Sequence, residues 1–77
     1  MSYYVDVAEL EKVRTQKGLK TNIALERASG VNRNTIASVT ENGKRPGSRT
    51  IEKLAIALEL TPEQTGAIFF AHQLHSM

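Results

Sequence analysis

The sequence predicts an all-α fold, a compact bundle of five short helices, on three observations. Apolar residues recur at helical spacing in successive stretches. Gly, Pro, Asn and Thr divide those stretches where capped helices would begin and end. Period-two strand patterning is nearly absent. The 77 residues read as one domain, with a core over residues 7–60 and a C-terminal helix over about 62–75. A chain this short buries only about 60% of its unfolded surface, and without cysteine it has neither a disulfide nor a thiolate metal site to compensate. Helix packing must supply the stability.

Asp6 followed by Glu9 has capping-box spacing, so a first helix runs from residue 7 to Lys17 and stops at Gly18, with Leu10 and Val13 on its inner face. Thr21 caps a second helix, Asn22 to Ala28, and Ser29-Gly30-Val31 forms the turn after it. Asn32 caps a third, Arg33 to Glu41, which turns Ile36 and Val39 inward and leaves Arg33, Asn34, Thr35 and Ser38 polar. Lys44-Arg45-Pro46-Gly47 is loop. Ser48 caps a fourth helix, Arg49 to Leu58, whose stripe is Ile51, Leu54, Ala55 and Leu58. Thr61-Pro62-Glu63-Gln64 combines a cap, a first-turn Pro and a box-completing Gln, and opens the fifth helix. There Ala67, Ile68, Ala71 and Leu74 make one stripe, and Phe69 and Phe70 widen it. Ile68, Phe69, Phe70 and Leu74 are therefore candidates for a surface that meets a second copy or another protein, which Tyr3, Tyr4 and Val5 would either join or replace by covering the core.

The net charge of +2 conceals a segregation. All ten Lys and Arg residues lie between Lys12 and Lys53 with three acids, Glu26, Glu41 and Glu52, so that window carries +7. Asp6, Glu9, Glu11, Glu59 and Glu63 make the flanks acidic. A basic middle is the distribution expected of a face that meets a polyanion, although charge runs on small domains are more often solvated surface. Residues 22–40 add the geometry that charge lacks: apolar Leu25, Val31, Ile36 and Val39 to interlock, Gly30 to make the turn, and a polar N-terminal end on the second helix to reach base edges. The same spacing also occurs in bundles that bind nothing.

From Leu10 to Leu60 the sequence resembles the Cro and phage-repressor helix-turn-helix family, also called XRE-like. The resemblance rests on Leu10, Val13 and Arg14 through Lys17-Gly18-Leu19, on Ser29-Gly30-Val31-Asn32-Arg33-Asn34-Thr35-Ile36, on Glu41-Asn42-Gly43-Lys44-Arg45-Pro46, and on Leu54-Ala55-Ile56-Ala57-Leu58. It implies a lambda-repressor-like bundle in which Arg33, Asn34, Thr35 and Ser38 face the major groove. Arg suits the O6 and N7 edge of guanine, Asn the N6 and N7 edge of adenine, and the Thr methyl thymine. Lys20, Thr21, Asn22, Lys44, Arg45 and Arg49 would lie on phosphates, and Arg14 and Glu41 would form a structural pair. Three departures stand out: Glu26 occupies a position that is usually Ala, and there is one extra residue between Gly18 and Leu25 and another between Ile36 and Gly43, near Thr40.

These features imply a sequence-specific, DNA-binding transcriptional regulator, a small phage or mobile-element repressor of Cro type, with double-stranded DNA as partner and a homodimer or heteromer as assembly. The alternative on the same fold is a protein-binding modulator of a repressor, or an antitoxin-like partner, motivated by Glu26, Phe69 and Phe70. His72 and His75 are spaced to share a helix face, but no Cys or nearby carboxylate completes a zinc set. No nucleophile-base arrangement or glycine-rich phosphate loop is visible, so neither an enzyme nor a cofactor is expected. Without a membrane-length apolar run or a signal-peptide pattern, the expected location is cytoplasmic, with no membrane or small-molecule partner.

Overall fold

Four of the five helix starts use the polar cap that the sequence offers. In the computed structural model, which describes residues 3–72, Asp6 Oδ1 accepts from the Glu9 amide, Thr21 Oγ1 from Ala24, Asn32 Oδ1 from Asn34 and Thr61 Oγ1 from Gln64. Gln64 Oε1 accepts from the Thr61 amide in return, completing the box. The helices so begun are α1 (Val7–Gln16), α2 (Asn22–Ser29), α3 (Arg33–Asn42) and α5 (Pro62–Phe69). The exception is α4 (Ser48–Ala57): Gly47 is its cap, Ser48 is its first helical residue, and no side chain bonds the orphan amides. Glycine is nearly as acceptable as Ser in that place, so the shift costs little.

Helices α1 and α4 end in the same way. At α1 the Leu19 amide reaches the Arg14 carbonyl and the Gly18 amide reaches Thr15; at α4 Leu60 reaches Ala55 and Glu59 reaches Ile56. Both are Schellman motifs, which need a left-handed residue in the middle. Gly18 supplies it freely at φ 72°, whereas Glu59 adopts φ 54° at a steric cost. The Glu59 carboxylate also meets Lys17 Nζ at 2.9 Å, and this hydrogen bond and charge hold its pKa below the usual range. A lowered carboxylate stabilises the fold above its ordinary pKa and loses that contribution on acidification. Both side chains are solvated, so the pair is weak.

The helices close around Val5, Leu10, Val13, Leu25, Val31, Ile36, Val39, Ile51, Leu54, Leu58, Ile68 and Phe69. Ala55, expected in the α4 stripe, is half-buried. Helix α2 packs on both α3 and α4, while α5 packs on α1 and α4. The C-terminal helix is shorter than its sequence predicts, ending at Phe69 instead of about 75. Its end is decided by the N-terminal segment. The Asp6 amide takes the Ile68 carbonyl at 2.7 Å, which in a continuing helix would accept from His72. Ala71–His72 (β2) pairs instead, antiparallel, with Tyr3–Tyr4 (β1), Tyr4 opposite Ala71. Val5 follows β1 into the core, so it covers the core rather than widening an outer surface. Leu74 and His75 lie outside the described residues.

Arg14 is the only buried charge among the described residues. Its guanidinium donates Nε to the Leu19 carbonyl (3.0 Å), Nη2 to the Lys20 carbonyl (2.9 Å) and to Asn22 Oδ1 (2.8 Å), and Nη1 to Glu11 Oε2 (3.0 Å). These bonds satisfy four of the five guanidinium donors and fasten the end of α1 to the start of α2. The expected pairing of Arg14 with Glu41 is thus incorrect: Glu11 is the carboxylate partner, and Glu41 is exposed. The physical reason is register. Helix α3 runs unbroken through Thr40, whose Oγ1 donates to the Ile36 and Ala37 carbonyls, and with Ile36 and Val39 committed to the core, Glu41 lies about 200° around the helix from Val39, on the outside.

Removing Arg14 would strand two carbonyls and leave a void, so Arg14→Ala should cost about 3 kcal/mol, a large part of the stability of so small a domain. Glu41→Ala should change stability by less than about 0.5 kcal/mol. Urea unfolding followed by circular dichroism measures both.

Candidate nucleic-acid interface

The turn between α2 and α3 is built from its smallest parts. Gly30 ends α2 at φ 77°, with its amide on the Glu26 carbonyl at 2.7 Å. Ser29 Oγ donates to the Leu25 carbonyl and accepts from the Val31 amide, so the turn's polar groups are met locally. Val31 drops into the core, and Asn32 starts the next helix. Buried Ile36 and Val39 then fix the rotation of α3 about its own axis, leaving Arg33, Asn34 and Thr35 exposed and Ser38 half-buried at the rim.

An open groove runs beside α3, lined by Asn34, Thr35, Ser38, Val39, Lys44, Arg45 and Pro46. Three of the four expected base-reading side chains are thereby brought beside two of the expected phosphate-binding ones. Arg33 lies apart from this groove. Its Nε stands 3.5 Å from Glu26 Oε1, so the unusual acid of α2 is paired with the first residue of α3. Arg45 is held from the far side, with its guanidinium carbon 5.4 Å from the Tyr3 ring centre and 5.0 Å from that of Phe70. Those two rings meet edge to face at 5.5 Å.

The remaining cations are more dispersed. Lys20 and Thr21 are exposed at the start of α2. Asn22, beside them, is half-buried and gives its side-chain oxygen to Arg14, a structural task that its sequence context does not announce. Arg49 lines a different groove, between α4 and α5, with Ile51, Ala55, Leu60 and Phe70. Of the expected partner surface, Ile68 and Phe69 are fully buried and belong to the core, because α5 turns them toward α1 and α4. Phe70 remains 38% exposed, and Ile56, on the outer side of α4, is 71% exposed.

Comparison with solved structures returns the high-resolution crystal structure of the restriction-modification controller protein C.AhdI from Aeromonas hydrophila. The match has a TM-score of 0.65 and 30% sequence identity, and covers 77% of this chain and 88% of that one. This chain belongs to the helix-turn-helix family of that controller protein. No protein-family model and no curated protein sequence matches it. The family fold agrees with the five helices described above, and the turn at Gly30 with the motif at residues 22–40. No helix among the described residues is long and apolar enough to cross a membrane. No cluster of three or more metal-binding side chains occurs among them either.

Two of these contacts carried a signal that sequence could have yielded. Glu11 and Arg14 are three apart, the spacing of neighbours on one helix face. Glu26 and Arg33 flank the predicted turn with opposite charges. The ring contacts of Arg45 carried none, since they depend on both ends of the chain meeting at the loop.

Proposed function

We propose that this protein is a sequence-specific, DNA-binding transcriptional regulator in which α3 enters the major groove. The observation that carries this reading is the groove that sets Asn34, Thr35 and Ser38 beside Lys44 and Arg45, at the edge of a helix whose inner face is locked by Ile36 and Val39. Hydrogen-bonding side chains flanked by cations match what a duplex presents, base edges between two lines of phosphate. The similarity to a restriction-modification controller favours control of restriction-modification genes over the phage or mobile-element setting that the sequence alone suggested. The reading as a repressor modulator or antitoxin-like partner loses two of its three motivating residues, because Phe69 is buried and Glu26 is engaged by Arg33.

The assembly that fits this function is a homodimer formed through the outer face of α4 and α5, where Ile56, Phe70 and the α4–α5 groove leave apolar surface exposed. A two-fold pair would offer two α3 helices to half-sites about 34 Å apart.

Selection of sites from random duplexes tests the proposal: a preferred near-palindromic site supports it, and recovery of random sequence defeats it. On the selected site, Arg33→Ala should reduce discrimination at one base position by about 1–3 kcal/mol. Lys44→Ala should weaken all duplexes alike and flatten the salt dependence by about one unit of slope. Ile56→Asp should convert the dimer to a monomer in sedimentation while the far-UV spectrum stays unchanged; a native protein that is already monomeric at micromolar concentration contradicts the assembly.

A further inference from the structure

Among the described residues, Glu26 is the one acidic side chain that forms an ion pair with the expected base-reading set. It projects from α2, 33% exposed, toward Arg33, which is 58% exposed. The contact is made to Nε, at 3.5 Å, an ion pair rather than a short hydrogen bond. A guanidinium has two edges suited to a bidentate partner, one formed by Nε with an Nη and the other by the two Nη groups. The carboxylate approaches at Nε and the Arg33 side chain is more than half exposed, so a partner arriving from solvent would be met by the edge formed by Nη1 and Nη2. That edge is the one that can meet the O6 and N7 acceptors of guanine end-on.

We propose that Glu26 is a positioning residue that turns the guanidinium of Arg33 for guanine, trading affinity for discrimination. The proposal rests on the reading of α3 as the DNA-contacting helix. An unrestrained Arg at the end of a solvated helix samples many rotamers, and can satisfy itself on any nearby phosphate. A carboxylate at Nε penalises rotamers that swing away from it. The same negative charge, held close to the DNA face, repels phosphate whatever the sequence. Glu26 therefore has two effects of opposite sign on binding, which a purely architectural role would not produce.

The test uses the full chain, with native protein, Glu26→Gln, Glu26→Asp, Arg33→Ala and the Glu26→Gln/Arg33→Ala double variant. Each is titrated against the selected duplex, against that duplex altered at the position where Arg33→Ala loses discrimination, and against a random-sequence duplex. Glu26→Gln keeps the shape and removes the charge. It should bind the random duplex more tightly, by roughly 2- to 5-fold, and discriminate less well at that one position, by roughly 3- to 10-fold. Glu26→Asp keeps the charge but withdraws it by one methylene, and should lose discrimination without gaining general affinity. In the Arg33→Ala background, Glu26→Gln should leave discrimination unchanged. The proposal is overturned if Glu26→Gln discriminates as native does, or if it lowers discrimination equally with and without Arg33. If Arg33→Ala itself changes no base preference, the base-reading role of Arg33 fails, and the positioning role with it.

Discussion

The guanidinium of Arg14 holds the first helix to the second, and the placement of the helix-turn-helix depends on it. Arg14 bridges two backbone carbonyls after the end of α1 and the first side chain of α2. A buried charge is tolerable only when its donors are met, and here four are, each by a group in a fixed place. The direction in which α2 leaves α1 is therefore specified as well as stabilised. Glu11 contributes less than the distance of 3.0 Å suggests, because it is half in solvent; the carbonyls of Leu19 and Lys20 carry more of the constraint.

From that fixed start the arrangement propagates through short links. Eight residues of α2 lead to Gly30, whose left-handed backbone reverses the chain, and Val31 and Ile36 then anchor α3 in the core. The outer face of α3 is exposed by elimination, since the other side is committed to packing. The segment before α1 and the segment after α5 are joined by β1 and β2, and the rings of Tyr3 and Phe70 lie against the guanidinium of Arg45. A loop cation that the sequence assigns to phosphate contact, as an expectation, is thus held by aromatic rings from β1 and from the end of α5.

The parts of this fold that were legible in sequence are those set by neighbours along the chain. The caps at Thr21, Asn32 and Thr61 form as expected, and at Asp6 the half in which its side chain takes the Glu9 amide, because each acts on an amide two or three residues away; Glu9 does not complete the box, since the Asp6 amide donates to the Ile68 carbonyl. Leu10, Val13, Leu25, Ile36, Val39, Ile51, Leu54 and Leu58 are buried on the inner faces that helical spacing predicts, and Val31 is buried in the turn that Gly30 marks. What could not be read was set at a distance. The end of α5 depends on an amide from Asp6, and the burial of Phe69 depends on α1 and α4 arriving beside it. Arg14 does not pair with Glu41 because buried Ile36 and Val39 set the rotation of α3 and leave Glu41 outside, while Glu11 stands one turn away from Arg14 on the same helix. Glu26 was visible as a departure, but its meaning came only with the position of Arg33 across the turn.

In the proposed function, α3 and the loop after it, rather than the α4–α5 face, meet the duplex. Amide chemical shifts recorded while the protein is titrated with its selected duplex test this most directly. The largest changes should fall on Arg33, Asn34, Thr35, Ser38 and Lys44, with smaller ones at Lys20 and Thr21. Changes concentrated on Ile56, Leu60 and Phe70, with residues 33–38 unmoved, would contradict it.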